Sequence, residues 1–241
     1  MNNRVILQPA YILHSRPYRD TSAIIDVFSR DYGYISGIAQ GVRSNRSKIK
    51  GILQAFNPLL LSWSGKRELM YINGVELNGS YYSLTGLNLI SAMYLNELLL
   101  RVLHKFIPYP QLYDFYDTAL SQLVLADNVR PILRIFEKKL LQELGYGLIL
   151  DSCAKTGKPV DAQKKYYFQP SLGVFEISAT TLINNPQYVF SGTSLLAFMQ
   201  EVFTQPEYLR DAKKINQFSL AMIIGDKPLK SRELLISGGQ K

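Results

Sequence analysis

The sequence predicts an α+β protein, and three observations carry that prediction. Short apolar runs with a period of two fill residues 8–80. From residue 87 the period changes to about 3.6. Residues 151–190 lose the helical period, and it returns after them.

The strands come first. Tyr11 to Ser15 and Ser22 to Phe28 are bounded by Pro9, by Pro17 with Tyr18, Arg19 and Asp20, and by Asp31-Tyr32-Gly33. That last triplet suits a tight hairpin with its glycine left-handed. Tyr34 to Ala39 follows as the third strand. Leu59 to Trp63 and Glu68 to Ile72 make a second hairpin across Ser64-Gly65-Lys66-Arg67. Five short strands in about 70 residues suit a small closed barrel, of which the OB-fold is the most economical. An SH3-like barrel answers the same pattern.

The helices follow. Leu87, Ile90, Tyr94, Leu98 and Val102 share one helical face, with Leu95, Leu99 and Leu103 beside it. A helix apolar over so much of its girth belongs at the centre of a domain. Pro108 and Pro110 end it, and Gln111 to Leu125 makes a second helix. Asp127-Asn128 cap a third helix, Pro131 sits in its first turn, and Gly145-Tyr146-Gly147 stop it. Tyr166 to Phe168 and Val174 to Ile177 are short strands around a turn at Pro170 to Gly173. Helices at Thr193 to Thr204 and Glu207 to Ile224 end at Gly225-Asp226-Lys227-Pro228. Three parts are expected: a barrel over 1–80, a helical domain over 81–150 and 191–241, and a small irregular β insert over 151–190.

Composition narrows the function. Hydrophobic content of 47% with 19% charge marks a globular chain. A net charge of +8 favours nucleic acid, an anionic membrane or an acidic protein. Residues 1–80 hold ten Lys/Arg against five Asp/Glu, residues 81–150 six against six, and residues 151–241 eleven against eight. The first segment is therefore the foremost polyanion surface. No apolar run reaches the ~20 residues that span a bilayer. The start shows no signal-peptide pattern, so a cytoplasmic protein is expected, associated with the nucleoid if its ligand is DNA. Cys153 is the one cysteine, which rules out an intrachain disulfide and a cysteine-based zinc site.

Catalytic patterns are missing. His14 and His104 are the two histidines, they lie far apart, and neither has a ligand-spaced partner. There is no GxxxxGK[ST] and no GxSxG. The chain reads as a non-enzyme without a cofactor.

Binding chemistry is better represented. Arg43, Arg46, Lys48 and Lys50 crowd a nine-residue loop with Ser and Asn spacers and no acid. Four like charges repel one another, so such a loop builds no core and faces water or an anion; spaced cations with polar donors suit phosphates. Arg16, Arg19 and Arg30 add charge nearby, as do Lys66 and Arg67 in the second hairpin. Tyr11, Tyr18, Phe28, Tyr32, Tyr34, Trp63 and Tyr71 are interleaved with them, the mixture that holds single strands by charge and stacking. About half of these rings must fill the barrel, and Tyr18 and Tyr32, next to turns, are the exposed candidates.

Further clusters lie beyond the barrel. Arg210, Lys213 and Lys214 gather on the last long helix. Lys227, Lys230 and Arg232 sit on a segment expected to be extended. In the third helix Arg130, Arg134 and Lys138 recur every four residues beside Ile132, Ile135 and Phe136. A cationic stripe beside an apolar surface accepts an acidic peptide with a free carboxylate, Arg134 being the clamp and Ile135 part of the apolar wall. An ordinary amphipathic helix shows the same pattern.

Taken in order, several segments resemble a family, the bacterial recombination mediator RecO. They are Leu13-His14-Ser15-Arg16-Pro17-Tyr18, Asp26-Val27-Phe28, Gly41-Val42-Arg43-Ser44, Leu53-Gln54-Ala55-Phe56, Tyr94-Leu95-Asn96-Glu97-Leu98, Leu144-Gly145-Tyr146-Gly147 and Lys227-Pro228-Leu229-Lys230-Ser231-Arg232-Glu233-Leu234. The resemblance implies an OB-fold, a helical domain and a small third module. It also implies binding of single- and double-stranded DNA, strand annealing, RecA loading together with RecR, and recruitment by the acidic C-terminal tail of single-stranded-DNA-binding protein. Many relatives carry a four-cysteine zinc site. Here Thr156 stands where a second cysteine would follow Cys153, and Leu172 to Glu176 has none, so no zinc is expected.

The reading is therefore a DNA-binding, strand-annealing mediator of recombinational repair. An RNA-binding barrel protein is the rival, and a pure protein adaptor a third class.

Overall fold

The computed structural model describes residues 3–65, 69–178, 185–225 and 228–238. They divide into two compact units, residues 1–127 with 228–241, and residues 128–227.

The first unit is built on a closed barrel. Its strands are β1 (Asn3–Tyr18), β2 (Ser22–Ser29), β3 (Gly33–Ala39), β4 (Leu59–Gly65) and β5 (Leu69–Leu77). They run β1-β2-β3-β5-β4 and close back on β1, with β3 and β5 parallel and the other neighbours antiparallel. This is OB topology, and it settles the choice against the SH3-like alternative. Alternation produces the interior: Ala23, Ile25 and Val27 of β2 and Ile35 and Ala39 of β3 point inward with Leu59, Leu61 and Trp63 of β4. The first strand begins at Asn3, well before the expected Tyr11. A bulge between Val5 and Gln8 interrupts its pairing with β4 and blurs the alternation. Gly33 takes the expected left-handed turn with φ 69°, and a Cβ there would lie 2.0 Å from the Ile107 carbonyl oxygen.

Helices α1 (Gly86–Val102) and α2 (Pro110–Val124) belong to this unit. Tyr11 and Phe28, on the barrel's outer face, are fully buried against Tyr113 and Tyr116 of α2, with ring centroids 5.1–6.3 Å apart. Burying a side chain of that size contributes about 1.5–3 kcal/mol. The Tyr11 hydroxyl donates to Asp117, and Arg30 grips Asp114 through two hydrogen bonds of 2.9 Å. A bulge in β1 at Leu13 leaves the Leu13 carbonyl free, and Asn96 of α1 donates to it at 2.9 Å. The closing helix of the chain (Lys230–Gly238) returns to this unit and packs on α1.

The second unit holds α3 (Arg130–Glu143), a three-stranded sheet, α4 (Gly192–Met199) and α5 (Pro206–Ile224). The sheet has the order β7-β6-β8, from β6 (Lys165–Gln169), β7 (Gly173–Glu176) and β8 (Val189–Ser191). Phe168, Val174, Phe190, Leu195, Phe198 and Ile215 form its core. The two units thus cut the chain differently from the three expected parts. The first two helices and the closing one group with the barrel, because their apolar faces bury against it or against each other.

Among the described residues no helix is long and apolar enough to cross a membrane.

Candidate nucleic-acid interface

Residues 40–58 link β3 to β4 as a chain of turns. Val42 and Leu53 are buried in the barrel core, with Ile49 and Ile52 packed against it. Backbone hydrogen bonds from Ser44 to Gly41, Ser47 to Ser44 and Leu53 to Ile49 tighten the path. Contrary to the expectation of a loop that builds no core, its apolar residues anchor it. Arg43, Arg46, Lys48 and Lys50 lie between these anchors and are all exposed.

The β1–β2 hairpin lies against this loop. The Arg43 N–H donates to the Thr21 carbonyl at 2.8 Å, and its guanidinium to the Arg19 carbonyl at 3.2 Å. Arg19 is exposed, takes φ 53°, and holds its guanidinium 5.2 Å from the Tyr18 ring centroid. Arg16 is exposed on β1 below the tip. Lys66 and Arg67 lie outside the described residues.

The rings divide. Tyr11 and Phe28 are spent on the α2 contact, and Trp63 lies in the core. Tyr34 is half-buried and donates to Asp26. Tyr18 is half-buried, Tyr32 rests edge-on against Trp63, and Tyr71 of β5 is 49% exposed. Arg30 is taken up by Asp114.

Two cationic clusters differ from expectation. The C-terminal segment is helical and not extended from Lys230 onward. Glu97 of α1 caps it, accepting from the Lys230 N–H at 3.0 Å, the Ser231 N–H at 2.9 Å and the Ser231 hydroxyl at 2.6 Å. Lys230 is exposed and Arg232 half-buried, while Lys227 lies outside the described residues. On α5, Arg210 is exposed but sits 3.4 Å from Glu207 and 3.6 Å from Asp211; Lys213 is exposed and Lys214 half-buried.

The stripe on α3 is not an open row of cations. Arg130 is exposed and Ile135 half-buried, but Arg134 and Lys138 are buried. Arg134 Nη2 lies 2.8 Å from Glu137 Oε1, and Asn216 of α5 donates to Glu137 Oε2 at 2.8 Å and to the Arg134 carbonyl at 3.0 Å. Lys138 donates to the Met199 carbonyl and pairs with Glu201, both at 2.8 Å. Burial would raise the Glu201 carboxyl, but Lys138 and Lys139 outweigh it and hold it below its ordinary value. Glu137 was the sequence signal for this pairing, three residues after Arg134 on the same face. Arg134 Nε is buried without a hydrogen-bond partner.

No three His, Cys, Asp or Glu side chains among the described residues gather closely enough to hold a metal ion. The Cys153 thiol is brought down to about 7, chiefly by the hydroxyl of Thr156, against the effect of burial.

Comparison with known proteins covers nearly all of the chain. Residues 1–81 match the family described as recombination protein O N terminal, and residues 84–233 the one described as recombination protein O C terminal. A DNA repair protein RecO of Aliivibrio fischeri is 43% identical over 230 residues, covering 95% of each chain. That of Nitrosococcus oceani is 44% identical over 232 residues, 96% of this chain and 93% of the other. That of Coxiella burnetii is 41% identical over 235 residues, 98% of this chain and all of the other. The chain belongs to the recombination protein O family.

Proposed function

We propose that this protein works in DNA repair and recombination as a strand-annealing mediator without catalytic chemistry. The observation that carries the reading is the anchored basic loop, docked through Arg43 onto Arg19, which offers its cations on a preset scaffold. A loop held by Val42, Ile49, Ile52 and Leu53 loses little further freedom when it meets phosphates. Cations on it neutralise the backbones of single strands, and duplex DNA meets the same charge. Lowered repulsion between two strands lets their bases pair.

The proposal extends to RecA loading together with RecR, and to recruitment by the acidic tail of single-stranded-DNA-binding protein. The second unit supports the tail contact through α3. Arg134 is buried and fixed by Glu137, so the tail would meet this face at its exposed edge. Exposed Arg130 and half-buried Ile135 flank it.

Annealing of complementary oligonucleotides coated with single-stranded-DNA-binding protein tests the reading. This chain is expected to speed annealing, and matched RNA is expected to compete poorly. No acceleration, or preference for RNA, overturns it.

A further inference from the structure

We propose that His14, oriented by the buried carboxylate of Asp26, is a phosphate contact that extends the nucleic-acid surface down the outer face of β1. This rests on the DNA-binding reading of the barrel. Before the bulge at Leu13, β1 turns Tyr11 against α2 and its carbonyls toward Asn96. Past the bulge the strand is open, with His14 and Arg16 exposed. A bulge re-aims a strand's side chains, and here it marks the change from a covered face to a free one.

His14, Arg16 and Tyr18 then alternate onto one face, about 7 Å apart at each step. That spacing is comparable to the separation of neighbouring phosphates on an extended single strand. The line ends at Arg19, where the basic loop docks through Arg43. Strand and loop thus make one continuous cationic track.

Asp26 explains why His14 is more than a surface residue. It lies opposite His14 across the β1–β2 ladder and is 5% exposed. Its Oδ1 accepts from the Ser36 hydroxyl at 2.7 Å and the Tyr34 hydroxyl at 3.1 Å. Its Oδ2 faces His14 Nδ1 at 3.6 Å. A carboxylate held by two hydroxyls is a fixed charge that turns one edge of the imidazole toward itself. The His14 side chain is 54% exposed, so Nε2, on the far edge of the ring, is left to the outside.

With Nδ1 turned to Asp26, Nε2 is the ring nitrogen left for a phosphate oxygen, which it meets as an N–H donor of the imidazolium with Asp26 as counter-ion. The other groups around it are Tyr34, Ser36 and Arg16, with Lys105 bridged through its backbone to Tyr34.

Fluorescence anisotropy of labelled oligothymidylate with the full chain, over a range of salt, tests this. His14→Gln is expected to bind about three- to fivefold more weakly. Its log–log salt slope should be shallower by about 0.7, as for one phosphate fewer neutralised. His14→Arg, which keeps a cation at this position, should bind at least as tightly as wild type with an undiminished slope. Should His14→Gln fail to melt cooperatively, His14→Arg decides: weaker binding or a shallower slope than wild type overturns the contact. Unchanged affinity and slope in His14→Gln, while joint removal of Arg43, Arg46, Lys48 and Lys50 abolishes binding, overturns this inference and spares the DNA reading. Unchanged binding in both overturns the DNA reading itself.

Discussion

Glu97 on α1 holds the start of the closing helix by Ser231, accepting from both its backbone N–H and its hydroxyl. One carboxylate thus ties two segments that are 134 residues apart in the chain. Arg101, one turn further along α1, donates to the Pro228 carbonyl and secures the residues leading in. Glu97→Gln is expected to cost about 1–3 kcal/mol, the scale of charged hydrogen bonds. Burial would raise the Glu97 carboxyl, but the hydrogen bonds from Ser231 and Lys230 prevail and hold it below its ordinary value. Such a group stabilises the fold above its unfolded pKa, and that contribution fades as pH falls through the lowered folded value. Urea midpoints should therefore drop on acidification in wild type, and by less in Glu97→Gln. Equal acid sensitivity in the two would refute this role.

The buried pair on α3 makes a second prediction. Arg134→Ala removes the guanidinium from the buried Glu137 carboxylate, and breaking such a pair costs about 3–5 kcal/mol. Arg130→Ala, on the exposed turn, should stay within about 0.5 kcal/mol. Calorimetry checks both. In fluorescence polarisation with a labelled acidic tail peptide, Arg130→Ala and Ile135→Ser should weaken binding while the fold persists. If both bind like wild type, the tail sits elsewhere.

Much of the fold was legible in the sequence, for reasons that show in particular residues. Ala23, Ile25 and Val27 share the inner face of β2 in an apolar run bounded by turn residues, so the strand declares itself. The glycine at position 33 announced its turn because little else tolerates φ 69°. What stayed hidden depends on distant partners. Nothing local says that Asn216 of α5 joins Arg134 and Glu137, or that Glu97 caps a helix beginning at Lys230. Pro228 read as a break, and without its cap the following segment lacked a helical start signal. The basic loop was legible as charge, but its anchoring was not, because Val42, Ile49, Ile52 and Leu53 follow no regular period.

Gly192 opens α4 with its Cα turned onto another segment. A Cβ there would stand 2.0 Å from the Asp161 carbonyl oxygen, where backbone must give way. Gly192→Ala is expected to destabilise the second unit by about 1–3 kcal/mol or more, the range for overpacking. A melting temperature equal to that of wild type would show that the two segments are not held so closely.

The turn from Cys153 to Lys158 is closed by backbone, with the Gly157 N–H donating to the Cys153 carbonyl and the Cys153 N–H to the Lys158 carbonyl, both at 2.8 Å. It is expected to hold without metal, since one thiol falls short of four nitrogen or sulfur ligands. Chelator should leave the melting temperature unchanged, and elemental analysis should find less than one zinc per chain. Stoichiometric zinc that survives dialysis would contradict this.

The most direct test of the central claim is the salt dependence of single-stranded DNA binding by wild type and by a variant with Arg43, Arg46, Lys48 and Lys50 all changed to Ala. The account predicts a folded variant that binds much more weakly, with a log–log slope shallower by about 0.7 for each phosphate no longer neutralised. The same affinity and the same slope in both proteins would contradict it.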